Sequence, residues 1–376
     1  MEKDKKLYPL KFIPETTKKI WGTEIMAIAD LGFADSVVEA GWLAGNTIGD
    51  IMETYLEKIP GEDVYRYYGR QFPVMVKFLN IEDKISLQVH PDDETAEQRY
   101  DALGKSTLWY IMEASPDAVI YAGFNREVTA QELYYGCMDG SVEGMLNVIR
   151  PKKGDCLYIK PGTVHAAGGG LLVAEIQESS ALDFRLYDWG REQDPAAGRE
   201  THIEEAIDII DYGRFDESCY RPAGHMHKGE IARKLAEIPE FTVTELAVTD
   251  PLHIYTEKFG RFILYVCTGG EVSVQVSGDS GRTENYSLKK GETILIPASM
   301  PDFLIVPSDR NSILLEVTVE RRAEDDDEYS PEDGETDGDG HDDGCDCGHG
   351  GCGHDEDCGC GHHHGHGHDC RCGHVH

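Results

Sequence analysis

Basic residues are scarce in this chain. Its 376 residues carry 35 Lys and Arg against 70 Asp and Glu, a formal net charge of −35. Such a surface repels phosphate backbones and anionic lipid, so neither nucleic acid nor membrane is expected as a partner. Long apolar runs are missing too: no stretch approaches the ~18 residues that a bilayer span needs. Residues 1–6 are mostly charged and no apolar run follows them, so no export signal is expected, and the expected location is cytoplasmic. Cysteine is thinly spread, because seven of the eleven lie beyond residue 344.

The charge is uneven. Residues 323–376 hold 17 acids and one base, Arg371, and so account for −16 of the total. The stretch 324–343 is acidic, contains Gly and has almost no apolar side chains, so it is expected to stay disordered. From Gly344 onward the chain is rich in Cys, His and Gly, with three Cys-x-Cys pairs (345/347, 358/360, 370/372) and nine of the sixteen histidines. Thiolate and imidazole together favour Zn, Ni and Cu(I). The spacing is not that of a zinc finger, and with no export signal expected a disulfide-rich secreted module is not the expectation. Interleaving with Cys, Asp and Gly also separates these histidines from a block-like purification tag. The expectation is a flexible tail that binds several transition-metal ions.

In the body, residues 74–78 and 85–90 are rich in β-branched and apolar side chains and read as strands. On a strand i and i+2 share a face, so Ser86, Gln88 and His90 point together. Residues 154–165 run from a Gly-Asp turn through a strand to a Pro-Gly turn, and His165 opens the next strand. A lone strand histidine is more often a hydrogen-bonded core residue than a ligand. Two imidazoles and an amide converging in a β-barrel make a metal site with room for a substrate. The Gly-Asp…Pro-Gly-x-x-His pattern is similar to the second motif of cupin barrels.

The resemblance extends further. Residues 86–93 (SLQVHPDD), 104–110 (GKSTLWY), 161–166 (PGTVHA), 175–177 (EIQ) and 185–189 (RLYDW) resemble, in order and spacing, the signatures of class I mannose-6-phosphate isomerases. It covers roughly residues 8–320, and the pairing of SLQVHPDD with PGTVHA is its specific part. It implies a mainly β fold of two cupin barrels with a small helical insertion: a catalytic domain at 1–234, a metal-free second barrel at 235–322 and the tail at 323–376. The implied activity is interconversion of mannose 6-phosphate and fructose 6-phosphate through an enediol, with one Zn2+ ion. Gln88, His90 and His165 fall at metal-ligand positions, and Arg185 at the active-site arginine.

Two departures stand out. Thr107 occupies the place of the family's glutamate ligand, and a hydroxyl is a far weaker ligand than a carboxylate. Glu175, Glu94 or water could fill that role. The segment after Trp21 is shorter than usual and lacks the family's Glu-Ser-Trp-Glu signature. The isomerisation needs a base to move a proton between C1 and C2, a cationic group and an anchor for the phosphate. Glu175 and Lys105 are the candidates for proton transfer, Arg185 for charge stabilisation, and Ser86, Lys105 and Arg185 for substrate binding; Arg185 could instead pair with Asp183 or Asp188. The competing reading is an inactive cupin that stores metal through its tail.

Helices are expected at 94–103, 129–135, 141–148 and 202–210, the last with Ile203, Ala206, Ile207 and Ile210 on one face. Strands are expected to return at 241–246, 262–266, 272–276, 293–296 and 313–319. Residues 290–298 repeat the Gly…Pro turn, but Met300 stands where the histidine would come, so this barrel reads as structural.

Overall fold

Antiparallel strands with two-residue alternation build both barrels. The computed structural model describes residues 5–194, 198–224, 231–256, 259–278 and 281–320; the acidic linker and the Cys/His-rich tail lie outside them. The N-terminal barrel has two antiparallel sheets. The larger runs in the order Glu15–Lys19, Gly22–Ile28, Val74–Ile81, Leu171–Glu178, Thr107–Ala114, Cys156–Ile159, Tyr220–Arg221. The smaller runs Phe184–Tyr187, Leu87–Val89, His165–Gly168, Val119–Phe124, Leu146–Ile149. The C-terminal barrel has a five-stranded sheet (Ala232–Glu237, Thr242–Val248, Ser312–Thr318, Ile263–Gly269, Thr293–Ile296) and a four-stranded one (Leu252–Ile254, Phe303–Pro307, Glu271–Ser277, Thr283–Lys289).

The central strands of the largest sheet are buried on both faces, and each face serves a different core. Val76, Phe78, Leu108, Tyr110 and Ile176 turn outward and pack with Val243, Leu264 and Val317 of the C-terminal barrel. Phe72 and Phe262 meet in this layer with ring centroids 4.8 Å apart. Leu79, Trp109, Ile111 and Val173 turn inward and fill the first barrel. Lys77, Thr107, Glu175 and Gln177 sit at the same alternation and so also face inward. Polar groups in an otherwise apolar barrel mark where its chemistry lies.

The N-terminal segment ties the barrels further. Leu10 exchanges backbone hydrogen bonds of 2.8 Å with Leu295 on the edge strand of the five-stranded sheet, which blunts that edge. The second barrel's interior holds Tyr265, Val274, Ile294, Phe303 and Leu314, and Met300 joins them where the first barrel places a histidine. Among the described residues no helix is long and apolar enough to cross a membrane.

Two expected helices differ. Ser141–Met145 is only a 3-10 turn, and Leu146–Ile149 is a strand. Gly140 at φ 80° breaks the helix before it, and the β-branched Val148 and Ile149 pair across to Tyr121 and Ile120. Of 202–210 only Ile203–Ala206 is α-helical, because the Asp211 amide bonds to the Gly162 carbonyl and draws the chain away. The expected helices at 94–103 and 129–135 appear as Asp93–Tyr100, capped by Asp92, and Ala130–Asp139, capped by a Thr129/Glu132 box.

Candidate active site

The mouth of the first barrel is lined by Trp21, Ser86, Gln88, His90, Lys105, Glu175, Asp183, Arg185 and Arg199, among others. Register builds its floor. Gln88 lies directly across from His165 on neighbouring strands, with the amide nitrogen 3.2 Å from His165 Nε2. His165 Nδ1 sits 2.9 Å from the Thr163 carbonyl. A carbonyl only accepts, so Nδ1 carries the proton and the Nε2 lone pair is left to accept the Gln88 amide N–H. His90 follows the Leu87–Val89 strand, held by the Gly162 amide on its carbonyl at 2.9 Å, and its ring meets His165 edge-on at 4.5 Å.

Both imidazoles are fully buried. Burial pushes His90 below the usual histidine range, and the nearby Lys105 ammonium adds to this. Burial, reinforced by His90, drives His165 down to about 3. Both rings are therefore neutral at pH 7, the state in which imidazole binds metal.

Asp183 reaches this floor from one residue before Phe184–Tyr187. Its Oδ1 lies 2.5 Å from Lys105 Nζ and 2.9 Å from His90 Nε2. Burial alone would raise the Asp183 carboxyl, but Lys105, His90 and Lys77 outweigh it and hold the group well below the usual carboxylate range. Neither His90 nitrogen makes an aligned hydrogen bond among the described residues despite the 2.9 Å approach.

Glu175 occupies one wall. Trp109 Nε1 donates to its Oε2 at 2.7 Å, and Lys77 Nζ lies 3.9 Å from Oε1. Lys77 is also 3.8 Å from Glu24. Burial by itself would lower the Lys77 ammonium, yet Glu175, Glu24 and Asp183 leave it raised.

A second polar cluster lies at the rim. Arg185 Nε and Arg199 Nη2 both donate to Ser86 Oγ, at 3.2 and 3.0 Å. Asp188 is bound by Arg199 and Arg191 at 2.6 and 2.7 Å, so one carboxylate holds two guanidiniums and leaves Arg185 without a carboxylate contact. Arg185 has the Glu200 carbonyl as a further acceptor, not Asp183 or Asp188. Burial and the Arg199 charge hold Arg185 below the usual arginine range. Surplus positive charge on a hydroxyl-bearing rim suits a dianion.

All seven residues singled out in the sequence (Ser86, Gln88, His90, Lys105, Glu175, Arg185 and, through Gln88, His165) meet around this cleft. Thr107 donates its hydroxyl to the Lys105 carbonyl at 3.2 Å. Glu94 is exposed and bonds Gln98 on its own helix, so it does not replace the missing carboxylate. Sequence reasoning missed Asp183 and Arg199 as cleft residues. Asp183 carries a signal, its i, i+2 relation to Arg185; Arg199 arrives on a loop and carries none. No three His, Cys, Asp or Glu side chains among the described residues form a closed ligand set. Lys105 occupies Asp183, and Gln88 is a ligand of another type.

Glu178 supports the loop that delivers Lys105. It is 2% exposed and accepts the Ser106 amide at 2.8 Å. Burial, with Asp93 adding to it, pushes its carboxyl well above the usual range of 4.5. The native state then keeps a proton that the unfolded chain releases above pH 4.5, so this group costs stability as pH rises from there towards its native pKa. Glu178→Gln removes that dependence. Urea unfolding at pH 5 and pH 8 is expected to show the variant gaining on the parent with pH, by up to about 1.4 kcal/mol per unit.

Fold and cleft together define a double-barrel cupin protein with a two-histidine floor and an arginine-lined rim. A family model, phosphomannose isomerase type I, catalytic domain, matches residues 12–124. The mannose-6-phosphate isomerase ManA of Bacillus subtilis is 30% identical over 316 residues, covering 78% of this chain and 95% of the relative. The mannose-6-phosphate isomerase of Streptococcus mutans is 28% identical over 302 residues, 77% of this chain and 92% of its own. A crystal structure of the B. subtilis mannose 6-phosphate isomerase superposes with a TM-score of 0.70 at 25% identity, over 83% of this chain and all of that one. This chain belongs to the type I phosphomannose isomerase family.

Proposed function

We propose that this chain is an aldose–ketose isomerase, an intramolecular oxidoreductase that interconverts mannose 6-phosphate and fructose 6-phosphate through an enediol. The observation that carries the reading is the division of the cleft: neutral metal-ligand types at the floor, an arginine pair sharing a serine at the rim. A sugar phosphate has the same division, with its carbonyl at one end and its dianion at the other.

The floor suits a divalent cation of borderline softness, with Zn2+ the first choice. Two buried neutral imidazoles supply lone pairs, the His90 nitrogens lack hydrogen bonds, and rotation of the Gln88 amide presents its oxygen. Gln88, His90 and His165 would hold the ion, which supplies Lewis-acid polarisation of the carbonyl. Glu175, oriented by the Trp109 N–H, is placed to move the proton between C1 and C2. The Lys105 ammonium is placed to donate to the oxygen that gains charge. Arg185, Arg199 and Ser86 bind the phosphate and fix the direction of the chain. The catalytic barrel in this reading spans residues 1–234, and 235–322 supports it.

The test is a coupled assay on metal-stripped protein titrated with Zn, Co, Mn and Ni. Arg185→Ala is expected to raise KM for mannose 6-phosphate roughly 10- to 100-fold, the loss of a charge-assisted contact of ~1.5–3 kcal/mol, with a much smaller effect on unphosphorylated mannose. An unchanged KM would remove Arg185 from the phosphate site.

Thr107 and the tail composition favour a second reading, a retired isomerase that stores metal ions through residues 344–376. A folded protein without turnover under any of the four metals, yet retaining several equivalents of Zn or Ni after dialysis, would select it.

A further inference from the structure

Four carboxylates lie in or beside the cleft, and three are held by groups other than the imidazoles. Glu175 is held by Trp109 and Lys77, Glu24 by Lys19 at 3.2 Å and by Lys77, and Asp188 by two arginines. The fourth, Asp183, touches a ligand-type nitrogen, His90 Nε2. Its placement is built in by register: Phe184 pairs with Val89 and Arg185 with Gln88, which sets the preceding residue beside His90. Phe184 is buried and anchors that register.

We infer that Asp183 supplies the anionic ligand of the cation site, from the Phe184–Tyr187 strand instead of from position 107. The inference rests on the metal-dependent reading above. Its physical basis is charge. Gln88, His90 and His165 are all neutral donors, and a dication in a buried site is held far better with a carboxylate among its ligands. Thr107 cannot provide one, and its hydroxyl is spent on the Lys105 carbonyl. Asp183 has its carboxylate beside the imidazole already, with the side chain 43% exposed. Lys105 occupies the same oxygen and so competes with the cation for it. A cation held by Asp183 would free the Lys105 ammonium from this contact, which would couple metal loading to the readiness of the proton donor.

Cobalt(II) quenching of tryptophan emission tests this on the full chain. The Trp109 ring lies 5.7 Å from the His165 ring, and the His90→Ala protein, which keeps the tail, gives the background for any quenching by tail-bound metal. Asp183→Asn is expected to raise the Co(II) concentration for half-quenching by roughly tenfold or more, and adding Thr107→Glu to that variant should recover most of the loss. Since Asp183→Asn leaves Lys105 buried and unpaired, the same comparison is made in a Lys105→Met background, where Asp183→Asn must again weaken quenching. If His90→Ala removes quenching while Asp183→Asn leaves the midpoint unchanged in both backgrounds, the cation site stands and Asp183 is only the counter-ion of Lys105. If His90→Ala quenches like the parent, the ion is elsewhere, and both the metal reading and this inference fail.

Discussion

His90→Ala is expected to lower metal-restored isomerase turnover by three orders of magnitude or more while the protein stays folded. Loss of Lewis-acid stabilisation amounts to several kcal/mol of barrier, and each ~1.4 kcal/mol is tenfold in rate. The fold should survive because the His90 ring makes no aligned hydrogen bond that truncation would break. Its structural link to the second motif is the backbone bond from Gly162, which alanine keeps. The informative comparison is kcat with saturating Zn2+ against the thermal unfolding midpoint of the same preparation. Near-normal turnover in a folded His90→Ala protein would sink the metal-centred mechanism. A Tm that collapses together with turnover would instead assign His90 to the core.

Legibility in the sequence followed the strength of local periodicity. Ser86, Gln88 and His90 were readable because two-residue alternation fixes side-chain direction on a strand, and the chain keeps that direction although the regular strand is only Leu87–Val89. His165 was readable because a Pro-Gly turn dictates where the next strand begins. The second barrel's central strands were readable as apolar runs, whereas Thr283–Lys289, mostly exposed and polar, carried no hydrophobic signal. Ser141–Met145 was misread as α-helix because its composition suits either structure, and pairing of the next residues with Val119–Phe124 decided it. Asp183 illustrates the harder limit. Its approach to His90 depends on the Arg185–Gln88 register between strands almost a hundred residues apart, and no local pattern encodes that distance. Arg199 likewise reaches Ser86 only once the whole barrel has closed.

Lys105→Met is expected to reduce kcat by about 10²- to 10⁴-fold, the range associated with losing a positioned proton donor, and to leave Co(II) quenching at least as strong as in the parent. Methionine keeps the length and apolar stem that fill the buried space, so the change removes little but the charge. The two readouts move in opposite senses for a physical reason. Lys105 and a bound cation compete for Asp183 Oδ1, so removing the ammonium helps the cation while depriving the substrate oxygen of its donor. A lysine that merely neutralised Asp183 would behave differently: its loss would lower the unfolding midpoint, and metal would restore both stability and turnover. Full activity in metal-loaded Lys105→Met would therefore confine Lys105 to charge balance and leave Glu175, beside Trp109, to handle the proton without it. A kcat defect that persists with metal bound, at unchanged KM, would instead place the ammonium in the transition state, since uniform binding losses appear in KM and transition-state losses in kcat.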